Sequence, residues 1–344
     1  MAKPLPVIPK IALLDPSMDN QLNLGDQILS QDARWAILNA YPDARVYRFP
    51  ATQRLTAKQY QSIRLCDRVF VCGGIMLNSH MDDQCHWALT LRDIFKLKPV
   101  TLLGVAWQCE KQGANLYTRS LLRGILGDDL QHAVRDEYTK YRLQQIGIKN
   151  VINTSCPSFW NHSAQTQLHI PKRKSKDVVF TLDWQRQDPA TDGRILRLLS
   201  QQYRRLYYWP QGIRDHRYLD QISEEPIMLI DDNLKHLDQL FEEHDDIDYV
   251  GMRIEAGIRA IQKRKRAVLL DVDGSAHEFG QPIRLKVISR QDTTALRAWI
   301  GSSHRTRITP PQHAISAWLN QFEAYRNRLK NNDHEESDQG RSAA

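Results

Sequence analysis

No stretch of this sequence approaches the roughly 20 consecutive apolar residues that cross a bilayer. The opening "MAKPLPVIPKIALLDP" interrupts its apolar part with prolines and lacks a small-residue cleavage site, so it does not read as a signal peptide. Cysteine is scarce and odd in number: Cys66, Cys72, Cys85, Cys109 and Cys156, with no CxxC pair. That spacing argues against a zinc site or a disulfide framework. Three of the five lie in or beside apolar runs, as buried free thiols do in a reducing cytoplasm. The GxGxxG fingerprint and the Walker loop are missing. Zinc fingers, aromatic RNA-binding motifs and heptad arrays are missing too, which points away from nucleic acid as a partner.

What is present is an ordinary globular composition, 41% hydrophobic and 25% charged, over 344 residues, enough for two cores. The net charge of +7 collects in "PKRKSKD" (Pro171 to Asp177) and "QKRKRA" (Gln262 to Ala267). Such charge suits an anionic membrane face or phosphorylated substrates. The simpler reading is a solvated linker for the first cluster and a solvated helix end for the second, where cations complement the dipole.

Short apolar runs alternate with amphipathic segments twice over. The first series contains "IALLDP", "ARVYRFP", "DRVFVCGG", "VTLLGVAW", "HAVRDE" and "NVINTSCP". The second contains "DVVFTLDW", "RLYYWPQ", "PIMLIDD", "DIDYVG", "RAVLLDVD" and "IRLKVIS". Helical patterns fall between them, at Asp192 to Tyr203, Leu234 to Glu243 and Arg253 to Gln262 in the second half. Strand–helix alternation predicts α/β architecture, with two Rossmann-like domains facing a cleft. The expected domains are 1–165 and 177–310, joined by a polar linker at 166–176. A final helix at 311–330 is expected to pack back on the first domain, followed by a polar, frayed tail at 331–344.

Ligands in such sheets bind beyond the strand C-termini, so the strand ends carry the candidates. After the first strand, "NLGDQIL" places Asn23, Gly25 and Asp26 where a long helix begins. Gly25 permits close backbone approach, and Asp26 is a natural N-cap. The loop is either ligand-facing or a capped turn. Gly73 and Gly74 end the third strand in a turn whose amides can face an anion. Arg135 follows another short strand, either as an anion ligand or paired with Asp136 or Glu137. In "DYVGMRIEAGIRAI", Gly251 ends a strand and Arg253 and Glu255 open a helix. The arginine there can grip a phosphate or carboxylate in two-pronged fashion.

Taken together, "NLGDQIL", "VCGGIML", the arginine of "VRDEYT" and "VGMRIEAGIRAI" resemble the polysaccharide pyruvyl transferase family in order and spacing, over most of the chain. The resemblance implies two Rossmann-like domains of glycosyltransferase type B architecture. It also implies transfer of an enolpyruvyl group from phosphoenolpyruvate, the donor substrate, to a sugar of a cell-surface or exopolysaccharide precursor, leaving a pyruvate ketal. Neither cofactor nor metal is implied. Asn23, Gly25, Asp26, Gly73, Gly74, Arg135 and Arg253 would line the donor site.

One position departs from the pattern. Where the family reads Arg-x-His-Ala, this chain reads Arg253-Ile254-Glu255-Ala256. The histidine is the expected proton donor, and imidazole suits that task near neutral pH. A carboxylate at a helix N-terminus beside an arginine is favoured as the anion and delivers a proton poorly. Glu255 keeps open two other readings: a nucleotide-sugar-dependent glycosyltransferase whose carboxylate holds donor hydroxyls, or a non-catalytic member that binds glycan or a partner. In each case the expected setting is the cytoplasm, with weak attraction of the basic clusters to an anionic inner membrane face and a lipid-linked oligosaccharide acceptor.

Overall fold

A computed structural model describes residues 8–18, 24–83, 86–162, 164–223 and 225–324. The chain divides into two compact units: Met1–Asn20, Leu29–Pro157 and Pro311–Ala344 in the first, Gln21–Ile28 and Ser158–Pro310 in the second.

The first unit is built on β1 (Lys10–Asp15), β2 (Arg45–Pro50), β3 (Arg68–Cys72), β4 (Ile75–Leu77), β5 (Val100–Trp107), β6 (His132–Val134) and β7 (Val151–Asn153). They run β2-β1-β3-β5-β6-β7, with β4 beside β5, and every pair is parallel. A parallel sheet is covered on both faces, which is why its strands read as unbroken apolar runs; all of β5 is buried. The helices between these strands are α1 (Leu24–Ala40), α2 (Ala57–Arg64), α3 (Leu116–Ile125) and α4 (Glu137–Gln145).

The second unit carries β8 (Asp177–Thr181), β9 (Arg205–Tyr208), β10 (Ile227–Leu229), β11 (Ile247–Gly251), β12 (Ala267–Asp271) and β13 (Val287–Ser289). Their order, β10-β9-β8-β11-β12-β13, is again wholly parallel. Counted from β8 this is the 3-2-1-4-5-6 order of a doubly wound Rossmann sheet. Its helices are α5 (Ala164–Leu168), α6 (Pro189–Gln202), α7 (Ile213–Ile222), α8 (Leu234–Glu243), α9 (Ile254–Gln262), α10 (Ser275–Gly280) and α11 (Thr293–Gly301). The chain then returns to the first unit as α12 (Gln312–Asn320). There the Trp318 indole donates to Gln131 O at 2.9 Å and meets the Phe70 ring edge-on. Residues 325–330 of the expected last helix, and the tail, lie outside the described residues.

Every apolar run singled out in the sequence is a strand, and the α/β reading holds for both units. One helix begins well before its expected start. α6 starts at Pro189 because Asp188 accepts the Thr191 N–H and proline suits a first helical position. α7 is not among the helices expected from the sequence. The polar stretch 165–176 lies within the second unit. Gln167 is tied there by its side-chain amide, which accepts from Ile308 N at 2.8 Å and donates to Ile308 O at 2.6 Å.

The cluster "QKRKRA" corrects the solvated-helix-end reading. Lys263 pairs with Glu242 and Arg264 is exposed, but Lys265 and Arg266 are buried. Arg266 and Asp248 are both 0% exposed and 2.8 Å apart, with Tyr203 donating to the same carboxylate at 2.8 Å. The guanidinium also lies 3.7 Å from the Trp299 ring centre and donates to the Trp299 and Ser302 carbonyls. Cys66, Cys72 and Cys156 are buried free thiols, Cys109 is exposed, and Cys85 lies outside the described residues.

Removing one partner of a buried pair strands the other charge. Arg266→Met should therefore cost about 3–5 kcal/mol in urea denaturation, and adding Asp248→Asn should recover part of that loss. A second prediction concerns pH. Burial lowers His132 and His162 from 6.5 to about 4, and His132 Nδ1 accepts the Leu102 N–H, which an imidazolium cannot do. Folded values below the unfolded one mean stability that is present above pH 6.5 and lost as pH falls toward 4. At pH 5 each histidine should remove about 2 kcal/mol. His162→Gln should lose less than wild type between pH 7.5 and pH 5 in urea midpoints.

Candidate functional site

In an open parallel sheet the loops diverge where the strand order reverses, and ligands settle there. The first sheet reverses between β1 and β3. β1 ends on Asp15, which is fully buried and accepts from Arg48 Nε at 2.6 Å, from Ser30 Oγ at 2.5 Å and from Ser17 N at 2.9 Å. Those bonds fix the start of the following loop. β3 is followed by Gly73, whose φ of +134° disfavours other residues. A Cβ on Gly73 would also lie 3.1 Å from the Pro16 ring. Gly74 follows, held by the Ala106 N–H on its carbonyl at 2.9 Å.

Arg135 reaches the same place. It follows β6, and its Nη1 would lie 3.6 Å from a Cβ on Gly74. Its Nε is 4.0 Å from Asp136, whose carboxylate caps α4 by accepting Thr139 N at 2.7 Å. The structure thus brings Gly73, Gly74 and Arg135 together, with a guanidinium over a glycine turn. Asn23 lies outside the described residues. Asp26 is not the N-cap expected from sequence: α1 begins at Leu24, so Gly25 and Asp26 are inside its first turn. A carboxylate at that depth complements the helix dipole instead.

The second sheet reverses between β8 and β11, and there the segment Arg253–Ala256, at the start of α9, is anchored. Arg253 is the N-cap of α9, with no side-chain cap bond. Its N–H donates to Thr181 Oγ1 at 3.2 Å, the Thr181 and Tyr249 hydroxyls are 2.7 Å apart, and Tyr249 Oη donates to Arg253 O at 2.9 Å. Because the phenol spends its proton on Arg253, the threonine must donate to the tyrosine oxygen. Burial raises the Tyr249 phenol well above its usual range, keeping that proton in place. Gly251 leaves room for the ring of bonds: a Cβ there would overlap Thr181 Oγ1 and lie 2.5 Å from the Tyr249 hydroxyl.

The Arg253 guanidinium meets carboxylates. Nη2 donates to Asp215 at 3.3 Å and Nη1 lies 3.9 Å from Asp183. Burial opposes the charge on Arg253, but Asp215, Asp183 and Glu255 outweigh it and hold the guanidinium protonated. Burial also raises the Asp215 carboxyl, against the pull of Arg253. Gln211 N–H donates to Asp215 at 2.8 Å, while its buried Nε2 has no partner among the described residues. Glu255 is half-buried in the first turn of α9 and makes no ion pair with Arg253 within 4.0 Å. Asp183, Asp215 and Gln211 were missed from sequence. Applying the strand-end rule to "VVFTLDW" and "YYWPQG" would have reached the first and last.

The polysaccharide pyruvyl transferase family model matches residues 23–284, well over half of the sequence. The chain belongs to that family. As a pyruvyl transferase family protein it shares its fold with solved structures at low identity. The S. aureus MnaA–UDP co-structure matches at 14% identity and a TM-score of 0.50, covering 93% of this chain and 96% of that one. The UDP-GlcNAc 2-epimerase from Neisseria meningitidis bound to UDP-GlcNAc gives 10% and 0.50, covering 92% and 100%. A further UDP-N-acetylglucosamine 2-epimerase gives 10% and 0.51, covering 93% and 96%. These likenesses carry the two-Rossmann, glycosyltransferase type B-like fold. A comparison with curated protein sequences gives no match.

The hydroxyl ring under Gly251 yields a structural prediction for this family member. Gly251→Ala should destabilise by about 1–3 kcal/mol through overpacking, whereas Tyr249→Phe, which adds no volume, should cost about 1 kcal/mol. Urea denaturation of both variants measures the difference.

Proposed function

We propose that the protein moves the three-carbon unit of phosphoenolpyruvate onto two hydroxyls of a sugar in a cell-surface or exopolysaccharide precursor. Family membership across residues 23–284 carries this reading. In it, Arg135 and the Gly73–Gly74 turn hold the anionic groups of phosphoenolpyruvate by charge-assisted bonds. A proton goes to the donor's methylene carbon, making the adjacent carbon electrophilic. One sugar hydroxyl adds there, and a second displaces phosphate. Two carbon–oxygen bonds form and one breaks; one hydroxyl proton ends in the new methyl group and the other on phosphate.

The role of Arg253 shifts in this account. Its charge is already matched by Asp183 and Asp215, so what it offers is a fixed arrangement of carboxylates rather than a bare cation. Carboxylates accept hydroxyl protons in sugar recognition, and with Gln211 and Glu255 they form an acceptor-like set at the end of the second sheet. Glu255 is the group we assign to proton transfer, in place of the family histidine.

The same carboxylates favour one second reading, a transferase that uses a nucleotide-sugar donor. The test is phosphate release from phosphoenolpyruvate with a panel of lipid-linked sugars, beside nucleotide release from UDP-sugars. We expect phosphate release, a loss of about a hundredfold in kcat/KM for Arg135→Lys, and loss of kcat in Glu255→Gln with recovery in Glu255→His. Nucleotide release without phosphate release would overturn the proposal in favour of the second reading. Absence of both would leave a non-catalytic glycan-binding member.

A further inference from the structure

Away from both strand-end clusters, the first unit carries an apolar tip set in cations. Leu65, directly after α2, is 74% exposed, and Phe95, which ends the 3-10 helix Leu91–Phe95, is 85% exposed. The two segments are fastened to each other. Arg64 Nε donates to Lys96 O at 3.0 Å and its Nη2 reaches Phe95 O at 3.4 Å, Lys98 Nζ donates to Cys66 O, and Lys96 Nζ lies 4.9 Å from the Tyr60 ring centre. Exposed phenylalanine and leucine on neighbouring rigid segments cannot be buried by their own fold.

The charge around them is one-sided. Residues 52–66 and 90–98 expose Arg54, Lys58, Arg64, Arg92, Lys96 and Lys98, and contain a single acid, Asp93. Asp93 is buried and accepts from Tyr60 Oη and from Thr90 N at 2.7 Å, so it forms no ion pair with the exposed cations. Asp67, the next acid along, accepts the Lys10 N–H at 2.8 Å. These two short stretches hold a net +5, against +7 for the whole protein.

We infer that this face of the first unit docks on an anionic lipid bilayer, with Phe95 and Leu65 entering the headgroup boundary and the cations fastened beside them, Arg64, Lys96 and Lys98, resting on acidic headgroups. The chemistry matches on both counts: a bilayer surface offers apolar depth for two side chains and a sheet of negative charge. Nucleic acid would use the cations but leave Leu65 in water, and a second copy of this face would set like charges together. The inference does not depend on the donor chemistry proposed above. It differs from the attraction expected of "PKRKSKD" and "QKRKRA", the second of which is partly core.

The experiment is flotation of the full chain with vesicles of phosphatidylcholine alone or with 30% phosphatidylglycerol, at low and high salt. We expect binding to the anionic vesicles, weakened by salt within the Debye range, and little binding to neutral ones. Lys96→Glu with Lys98→Glu removes two exposed cations beside Phe95 that make no ion pair among the described residues. With about fivefold per basic residue near a membrane, that variant should lose at least twentyfold in affinity. Phe95→Ser should lose about tenfold at unchanged charge, and Lys172→Glu with Arg173→Glu, in the other basic stretch, should lose far less. Unchanged circular dichroism establishes that each variant is folded. Absence of binding to anionic vesicles overturns the inference. So does binding that Phe95→Ser leaves intact, or that both charge-reversal pairs weaken equally. Concentration-dependent dimerisation abolished by Phe95→Ser would assign the face to a second copy, and oligonucleotide binding stronger than vesicle binding would assign it to nucleic acid.

Discussion

Parallel pairing is the constraint on which the rest of this molecule depends. With every neighbouring pair of strands parallel, no hairpin is possible, and each connection between paired strands must cross a face of the sheet and return to the same side. All strand C-termini in a sheet therefore share one edge, and the loops that follow them are gathered there without any further design. Where the order reverses, between β1 and β3 and again between β8 and β11, two loops leave in opposite directions and expose backbone between them. Gly73, Gly74 and Arg135 occupy the first such place; Asp183, Asp215 and Arg253 occupy the second.

The second unit uses arginine in two contrasting ways. Arg266 is fully enclosed, 2.8 Å from Asp248 and stacked on Trp299, and it cannot exchange partners without unfolding its surroundings. Arg253 keeps part of its side chain accessible, and its contacts with Asp215 and Asp183, at 3.3 and 3.9 Å, are longer. Buried ion pairs in general give conformational specificity more readily than stability. Here one pair fixes a core and the other holds polar groups ready at a sheet end. The backbone of Arg253 is rigid all the same, because the Thr181–Tyr249 hydroxyl ring grips both its N–H and its C=O.

The strands were legible because burial on both faces leaves a continuous apolar signature in the residues themselves. The glycine pair and the two arginines were legible because they stand at strand ends in local motifs. What escaped reading depended on distant partners. Nothing within "QKRKRA" announces that Arg266 meets an aspartate on the neighbouring strand and a tryptophan on α11, so its charge pointed toward solvent. Asp215 carries no local signal, and only the fold sets it against Arg253, 38 residues away. Asp26 shows a smaller error of the same kind. A cap is defined by where the helix begins, and one or two residues decide whether an acid is a cap or a first-turn charge.

The return of the chain to its first unit has a consequence for biosynthesis. Trp318 is fully buried against Phe70 and the Gln131 carbonyl, and Phe322 meets Tyr41 at a tilt and Trp318 itself edge-on. The sheet of the first unit is complete by Asn153, yet its covering from α12 is translated only after the whole second unit. At ordinary elongation rates that delay is on the order of ten seconds or more. Through that interval the nascent first unit presents an uncovered aromatic face, so the step most exposed to misassembly is the wait for a short terminal helix, and shortening the chain before Trp318 would make that wait permanent.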